Sequence, residues 1–416
     1  MRNFVIWTAI LMSAQALNAQ PYKNFHGVSV RGSHIWVVAK DTSRSNVYYS
    51  PDFGETWEER GFTIHTGFYV PLFDVEFVDR YTGWVVGMEG YIYRTDDGGL
   101  TWTQQVYGVS KFVTRAKFLN SMVGWAACGD AIYARTSSGG NPPPNGWTAG
   151  PTIPYATELY GVAPFDSLEA FYAAGDPINR GGQGFLIYTM DGGTSWQIII
   201  QDSVYDYFDV FFVDYDNGWL VGGTDTLPYE PKIYCTDTHG AVWDDCTPQL
   251  GHTLRAVYFV DQNEGWAVGE LGTILHTTDG GATWELQNSG VTTTLFDVEF
   301  SDNLHGVVVG DSNVVLITTD GGATWVPIHP ENVAEDDGGR PIETVPSNFR
   351  TIVATRQLEI PIRSSSKVEI FESNGQRLLS TTASPPKFEI KLPHNGVFFI
   401  RISDGKAANY LRVIAF

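Results

Sequence analysis

The heptapeptide TDGGATW stands at 278–284 and again at 319–325, and each copy closes a longer unit. The fullest copies are LFDVEFVDRYTGWVVGMEGYIYRTDDGGLTW (72–102), LRAVYFVDQNEGWAVGELGTILHTTDGGATW (254–284) and LFDVEFSDNLHGVVVGDSNVVLITTDGGATW (295–325). Weaker copies close at Trp57, Trp147, Trp196 and Trp243, so that with Trp102, Trp284 and Trp325 the chain holds seven units of 41 to 49 residues. Self-similarity at such a period means that each unit is one supersecondary element, burying its apolar face only against its neighbours.

Within a unit, runs such as LFDVEF, GWVVG and YIYRT alternate apolar and polar residues or are rich in β-branched and aromatic ones, and a fourth run opens at TW. These are strand signals, and DRYT, MEG and DDGG between them are turn chemistry. Four short strands in about 40 residues, seven times over and without helical periodicity, predict an all-β fold: a seven-bladed β-propeller over residues 20–328. Radial closure leaves few exposed sheet edges.

The Asp-Gly-Gly step forms the tight turn between third and fourth strands. There the carboxylate accepts backbone N–H bonds and glycine supplies positive φ. The aspartates at this place are Asp52, Asp97, Asp191, Asp279 and Asp320, and the pattern is degenerate in the third and fifth units. They look catalytic in composition, but the turn chemistry gives them a structural role. This S/T-x-D-x-G-x-T-W pattern resembles the Asp-box propellers. The full unit, with GW-x-V-G-x-x-G ahead of the box, is most similar to the photosystem II assembly and stability factor family, and more distantly to sortilin-type and xyloglucanase-type propellers. The resemblance covers roughly residues 25–328 and implies a fold more strongly than a function.

After Ile328 the acidic, Gly- and Pro-rich stretch HPENVAEDDGGRPIETVP reads as a linker over 329–346. Short alternating runs with an Asn-Gly turn then predict a small Ig-like β-sandwich over 347–416. The order NGQRL, LPHNGVFFIRISDG and a terminal strand resembles the C-terminal sorting domain of type IX secretion (Por secretion system) cargo. That resemblance implies an outer-membrane translocon as partner, with Gly375, Gly396, Phe398, Ile400 and Gly405 at the family's positions. Phe398 stands where tyrosine is common, and the frequent terminal lysine is missing. At the other end, Arg2, the run FVIWTAILM and SAQALNA read as a signal peptide over 1–19. Export, with the protein secreted or held at the cell surface, is the expectation.

Residues 346–416 carry 10 Lys and Arg against 5 Asp and Glu, and residues 20–345 carry 15 against 42, a net −27. So acidic a surface repels nucleic acid and anionic lipid, and a nucleic-acid partner is excluded. No apolar run is long enough to span a bilayer as a helix, and the chain is expected to be a monomer. Of three cysteines, Cys128 reads as a buried small apolar residue, whereas Cys235 and Cys246 fall on neighbouring strands of one unit. The sequence leaves open whether those two bridge.

On one propeller face lie the turns between second and third strands and the connections between blades, opposite the Asp-boxes. Two of those turns are enlarged, GDPINRGGQG (175–184) and GGTDTLPYEPK (222–232), and aromatic residues gather in the connections. The candidate binding face is Tyr69, Tyr107, Tyr155, Asp176, Arg180, Tyr205, Asp225 and Tyr229, with a protein or glycan as ligand. A membrane-complex assembly factor is the reading the family resemblance implies. A glycan hydrolase would need a carboxylate pair, for which Asp176 and Asp225 are the candidates. Sparse arginine argues against a sialidase. The nine histidines lack metal-ligand spacing, no Gly-x-Ser-x-Gly elbow is present, and no cofactor is implied.

Overall fold

The structure is a computed structural model. It describes residues 24–330, apart from 41–45, 63–70, 107–111, 142–145, 154–155, 157, 176–182 and 225, together with the strands between 350 and 415. The chain divides into two compact units, Met1–Pro330 and Glu331–Phe416.

The first unit is a seven-bladed β-propeller. Each blade is a four-stranded antiparallel meander of consecutive strands. The first strands lie innermost, each against the first strand of the next blade: Phe25–Arg31, Leu72–Phe77, Val113–Phe118, Glu158–Pro164, Asp206–Phe212, Leu254–Phe259 and Leu295–Phe300. The sequence left ring closure open, and the structure resolves it. Among the described residues no strand is exchanged: blade 1 runs from Phe25 to Glu59 and blade 7 from Leu295 to Ile328, and the two join through side chains. Phe25, Val28, Val37 and Tyr48 form one buried cluster with Val307, Val309, Val315 and Ile317.

The repeat's GW step is explained by packing between blades. Gly83 leaves the space that Phe77 occupies, since a Cβ there would meet that ring at 2.5 Å. Trp36 of the preceding blade covers the other side of Phe77 at a centroid distance of 3.8 Å. The same stack joins Trp84 to Phe118, Trp219 to Phe259 and Trp266 to Phe300, at 3.5, 3.4 and 3.5 Å. The indole nitrogens of Trp36, Trp219 and Trp266 then donate to the carbonyls of Gly98, Gly280 and Gly321, each in the Asp-box of the following blade. Where the third unit's box is degenerate, Trp84 lacks such a bond, and the Arg94 guanidinium donates to Gly139 instead.

Each complete box satisfies its own turn. Asp279 accepts from the Thr277 hydroxyl at 2.8 Å, the Thr283 amide at 2.8 Å and the Thr283 hydroxyl at 2.6 Å. Asp52, Asp97, Asp191 and Asp320 repeat this pattern with their own hydroxyl neighbours. Such bonds favour the charged form, so Thr283 holds Asp279, and Ser195 holds Asp191, below the usual carboxylate range. In the fifth unit the Thr238 hydroxyl stands in for the carboxylate, paired with Thr236.

Cys235 and Cys246 form a disulfide with Cα atoms 6.0 Å apart, so the alternative left open by the sequence resolves to a bridge. Cys128 is buried and free, and burial pushes its thiol up.

The second unit has a five-stranded sheet ordered Arg350–Ala354, Ala408–Ala415, Gly396–Ser403, Ser366–Glu372 and Arg377–Ala383, and a two-stranded one of Gln357–Pro361 and Lys387–Lys391. Its first pair is parallel and the rest antiparallel. Gly396 opens a strand that also contains Phe398 and Ile400, whereas Gly375, Gly405 and residues 1–19 lie outside the described residues. Among the described residues, no helix is long and apolar enough to cross a membrane.

Candidate binding site at the channel mouth

All seven inner strands share a β-bulge near the start of their pairing, after one paired residue in five blades and after two in blades 4 and 5. The register jumps over His26, Phe73, Tyr160, Phe208, Arg255 and Phe296, and over Thr114 in blade 3. In blades 2 and 6 the glycine at the far end of the second strand makes room for it: a Cβ on Gly87 would sit 2.1 Å from the Pro71 carbonyl oxygen, and one on Gly269 would be 2.0 Å from that of Thr253. A bulge re-aims the extra side chain, and its repetition in every blade turns a local irregularity into a ring.

The seven extra residues line one cavity of about 210 Å³, with Arg115 beneath them. Because each stands near the start of an inner strand, the ring lies on the face of the inter-blade connections, opposite the Asp-boxes. His26 stacks on Phe296 at 4.1 Å and meets Phe73 edge-on at 5.7 Å. Tyr160 lies 5.2 Å from Phe208, whose other neighbour is the Arg255 guanidinium at 4.0 Å. Burial, with Lys40 nearby, holds the His26 imidazole down at about 3, so it is a neutral ring near pH 7. The wall is thus five aromatic rings, one threonine and one arginine, the arginine bonded to Glu270 at 2.6 Å.

Below the mouth the channel is filled in layers. The residue after the bulge is Gly27, Asp74, Arg115, Gly161, Asp209, Ala256 and Asp297 in blades 1 to 7. Asp74, Asp209 and Asp297 each accept an amide from their own strand and one from the next blade's inner strand: Ala116, Val257 and Val28. Arg115 replaces aspartate in blade 3 and reaches across the axis to Asp209 at 3.4 Å and Asp297 at 3.3 Å. One layer deeper, Lys117 pairs with Glu76 at 2.7 Å, and Arg31 joins Glu76 to Glu299. A second cavity of about 150 Å³ lies among Arg115, Lys117, Asp209, Tyr258 and Asp297. Burial pushes the Asp74 carboxyl up to about 7 despite Arg115 and Lys117, and raises Asp209 and Glu299 as well.

Of the sequence-derived candidates, Tyr205 and Tyr229 are described, both half-buried on this same face. The Tyr205 ring has the Lys232 ammonium 5.4 Å from its centre, and His252 Nδ1 lies 3.3 Å from the Tyr229 carbonyl. Tyr69, Tyr107, Tyr155, Asp176, Arg180 and Asp225 lie outside the described residues. The ring itself escaped the sequence reading, because a bulge breaks the period-two alternation by which inward positions are recognised. Its signal was the second column of the aligned repeats: His, Phe, Thr, Tyr, Phe, Arg, Phe. Among the described residues, no group of three or more His, Cys, Asp or Glu could hold a metal ion.

Comparison with known proteins bears on this geometry. The family model described as photosynthesis system II assembly factor YCF48 matches residues 284–345, the seventh blade and its flanks. YCF48 from Cyanidioschyzon merolae superimposes with a TM-score of 0.53 at 19% identity, over 75% of this chain and 98% of that one. In fold, the propeller is similar to YCF48. A structure of YCF48 bound to D1 peptide gives a TM-score of 0.54 at 20% identity, over 72% and 94% of the two chains. The extracellular domain of a putative one component system from B. thetaiotaomicron gives 0.50 at 9% identity, over 96% of this chain and 57% of that one. No curated protein matches the chain.

Proposed function

We propose that the propeller is a binding module that seats a segment of another protein at the channel mouth. The observation that carries this reading is the ring of seven bulged residues, aromatic in five blades, opening on the face where the blades are connected. Concave, mostly apolar sites with a few polar groups are the usual form of a ligand pocket. The YCF48 structure with D1 peptide supports a peptide as ligand class, since a similar fold holds one there. Phe73 and Phe296 are the anchors to test. Threonine is compatible with the ring because Thr114 already holds the equivalent place. Selection of a random-peptide display library on the full chain should enrich sequences whose binding is lost in the double variant Phe73→Thr/Phe296→Thr. Equal enrichment on parent and variant would sink the reading.

Export and sorting complete the proposal: residues 1–19 act as a signal peptide, and the C-terminal unit, an Ig-like sandwich, acts as a type IX sorting domain. The support is the apolar leader and the order of strands and glycines around Gly375, Gly396 and Gly405. Intact masses from medium, cell surface and periplasm test it. A surface or medium form without the C-terminal unit is expected, and a full-length periplasmic form would make that unit an ordinary domain.

A further inference from the structure

The mouth has a chemistry of its own that narrows its ligand. Around the aromatic ring runs a second, outer ring, formed by the turns between second and third strands. Each such turn of blades 2, 3, 5, 6 and 7 carries an acid among the described residues: Glu89, Asp130, Glu230, Glu270 and Asp311. Glu89, Asp130 and Glu230 are exposed. Among the described residues, the cations near the mouth each have a partner. Arg255 bonds to Glu270, Arg115 bridges Asp209 and Asp297, and the Lys40 ammonium stands 5.0 Å from the centre of the Phe73 ring. The centre is therefore apolar and aromatic, its rim is acidic, and the field of the whole unit around it is strongly negative.

We infer that the mouth takes one aromatic or long apolar side chain carried on a basic segment of a partner protein. This rests on the protein-binding reading above and names the chemistry of that ligand. A cavity of about 210 Å³ has room for a single large side chain and not for a folded element. Aromatic walls favour a ring set edge-on or offset against them. Basic residues on either side of the anchor lie over the acidic turns, where opposite charge speeds encounter and fixes register. An acidic segment would meet like charge at the exposed acids of the turns in blades 2, 3 and 5, with Arg115 and Arg255 already paired.

The test uses the full chain and three labelled synthetic peptides: basic residues around a single tryptophan, the same peptide with alanine at the centre, and the tryptophan peptide with its basic residues changed to glutamate. The first should bind about ten-fold or more tightly than either of the others, as expected for a buried anchor and a complementary rim. Its affinity should fall as salt rises. Phe73→Thr/Phe296→Thr should lose that preference for tryptophan over alanine. Glu89→Gln/Asp130→Asn/Glu230→Gln, three changes on exposed turns, should keep it and flatten the salt dependence. If the acidic tryptophan peptide binds best and loses binding in the Phe73/Phe296 variant, the mouth binds proteins but the inference about basic segments fails. If the peptides bind parent and Phe73/Phe296 variant alike, the mouth is not the site and both readings fall. Binding of a neutral oligosaccharide that is lost in Phe73→Thr/Phe296→Thr, with none of the three peptides competing for it, would assign the mouth to glycans and overturn the inference.

Discussion

Arg115→Met lowers the stability of the propeller by about 3–5 kcal/mol, the range expected when one partner of a buried ionic cluster is removed and the others stay behind. Arg115 is the cation that spans the axis in its layer, within 3.4 Å of Asp209 and 3.3 Å of Asp297. Methionine keeps much of the length and none of the charge. The pH dependence separates this cause from mere loss of packing. Asp74 titrates near 7 in the folded chain, against about 4 unfolded, so it binds its proton more tightly when folded. Stability from such a group is present below about pH 4 and is lost as pH rises through about 7. Without Arg115 the carboxyls of Asp74 and Asp209 move further up, because the nearest cation that favoured their charged forms is gone. Urea unfolding at pH 5 and pH 8 should therefore show a smaller loss at pH 5 and a larger one at pH 8. An equal loss at both would show that the guanidinium matters for its volume and not for its charge.

Trp36→Ala is the second large effect. The side chain is fully buried, stacks on Phe77 of the next blade and donates to the Gly98 carbonyl at 2.9 Å. Truncation removes the cover from Phe77 and leaves a void between blades 1 and 2, at a cost of about 3–5 kcal/mol. Trp36→Phe keeps an aromatic face and loses the indole donor, leaving the Gly98 carbonyl with only the Arg60 guanidinium, so about 1–2 kcal/mol is expected. Thermal and urea unfolding of both variants check this. If alanine and phenylalanine cost the same, the hydrogen bond and not the stack holds the blades together.

The blades were legible because the repeat writes its packing into fixed columns. Glycine before tryptophan is the slot for Phe77 or its counterpart, and tryptophan is the lid on the next blade; the GW step marks this element in blades 2, 3, 5 and 6, and the box tryptophan marks the unit seven times. The binding site was not legible in that way. Tyr205 and Tyr229 sit on the face inferred from turn length, yet the ring that opens the channel comes from strand positions, where alternation predicts Phe73 and Asp74 on opposite sides. The bulge overrides that alternation, and only pairing register reveals it. The ion layers were hidden for a related reason. Arg115 and Asp297 are 182 residues apart and meet because closure of the ring brings the inner strands of blades 3 and 7 to one axis.

Among the described residues, closure without strand exchange makes the first and last blades a join held through side chains. Asp297 and Glu299 reach the amides of Val28 and Val30 there, much as Asp74 reaches Ala116 where the chain is continuous. The join is thus built like the other boundaries and differs from them chiefly in lacking a peptide connection. Any inter-blade connection could be opened and the old ends linked, giving a circularly permuted chain with the same neighbours. The arrangement of the blades in space does not depend on the order in which the chain writes them.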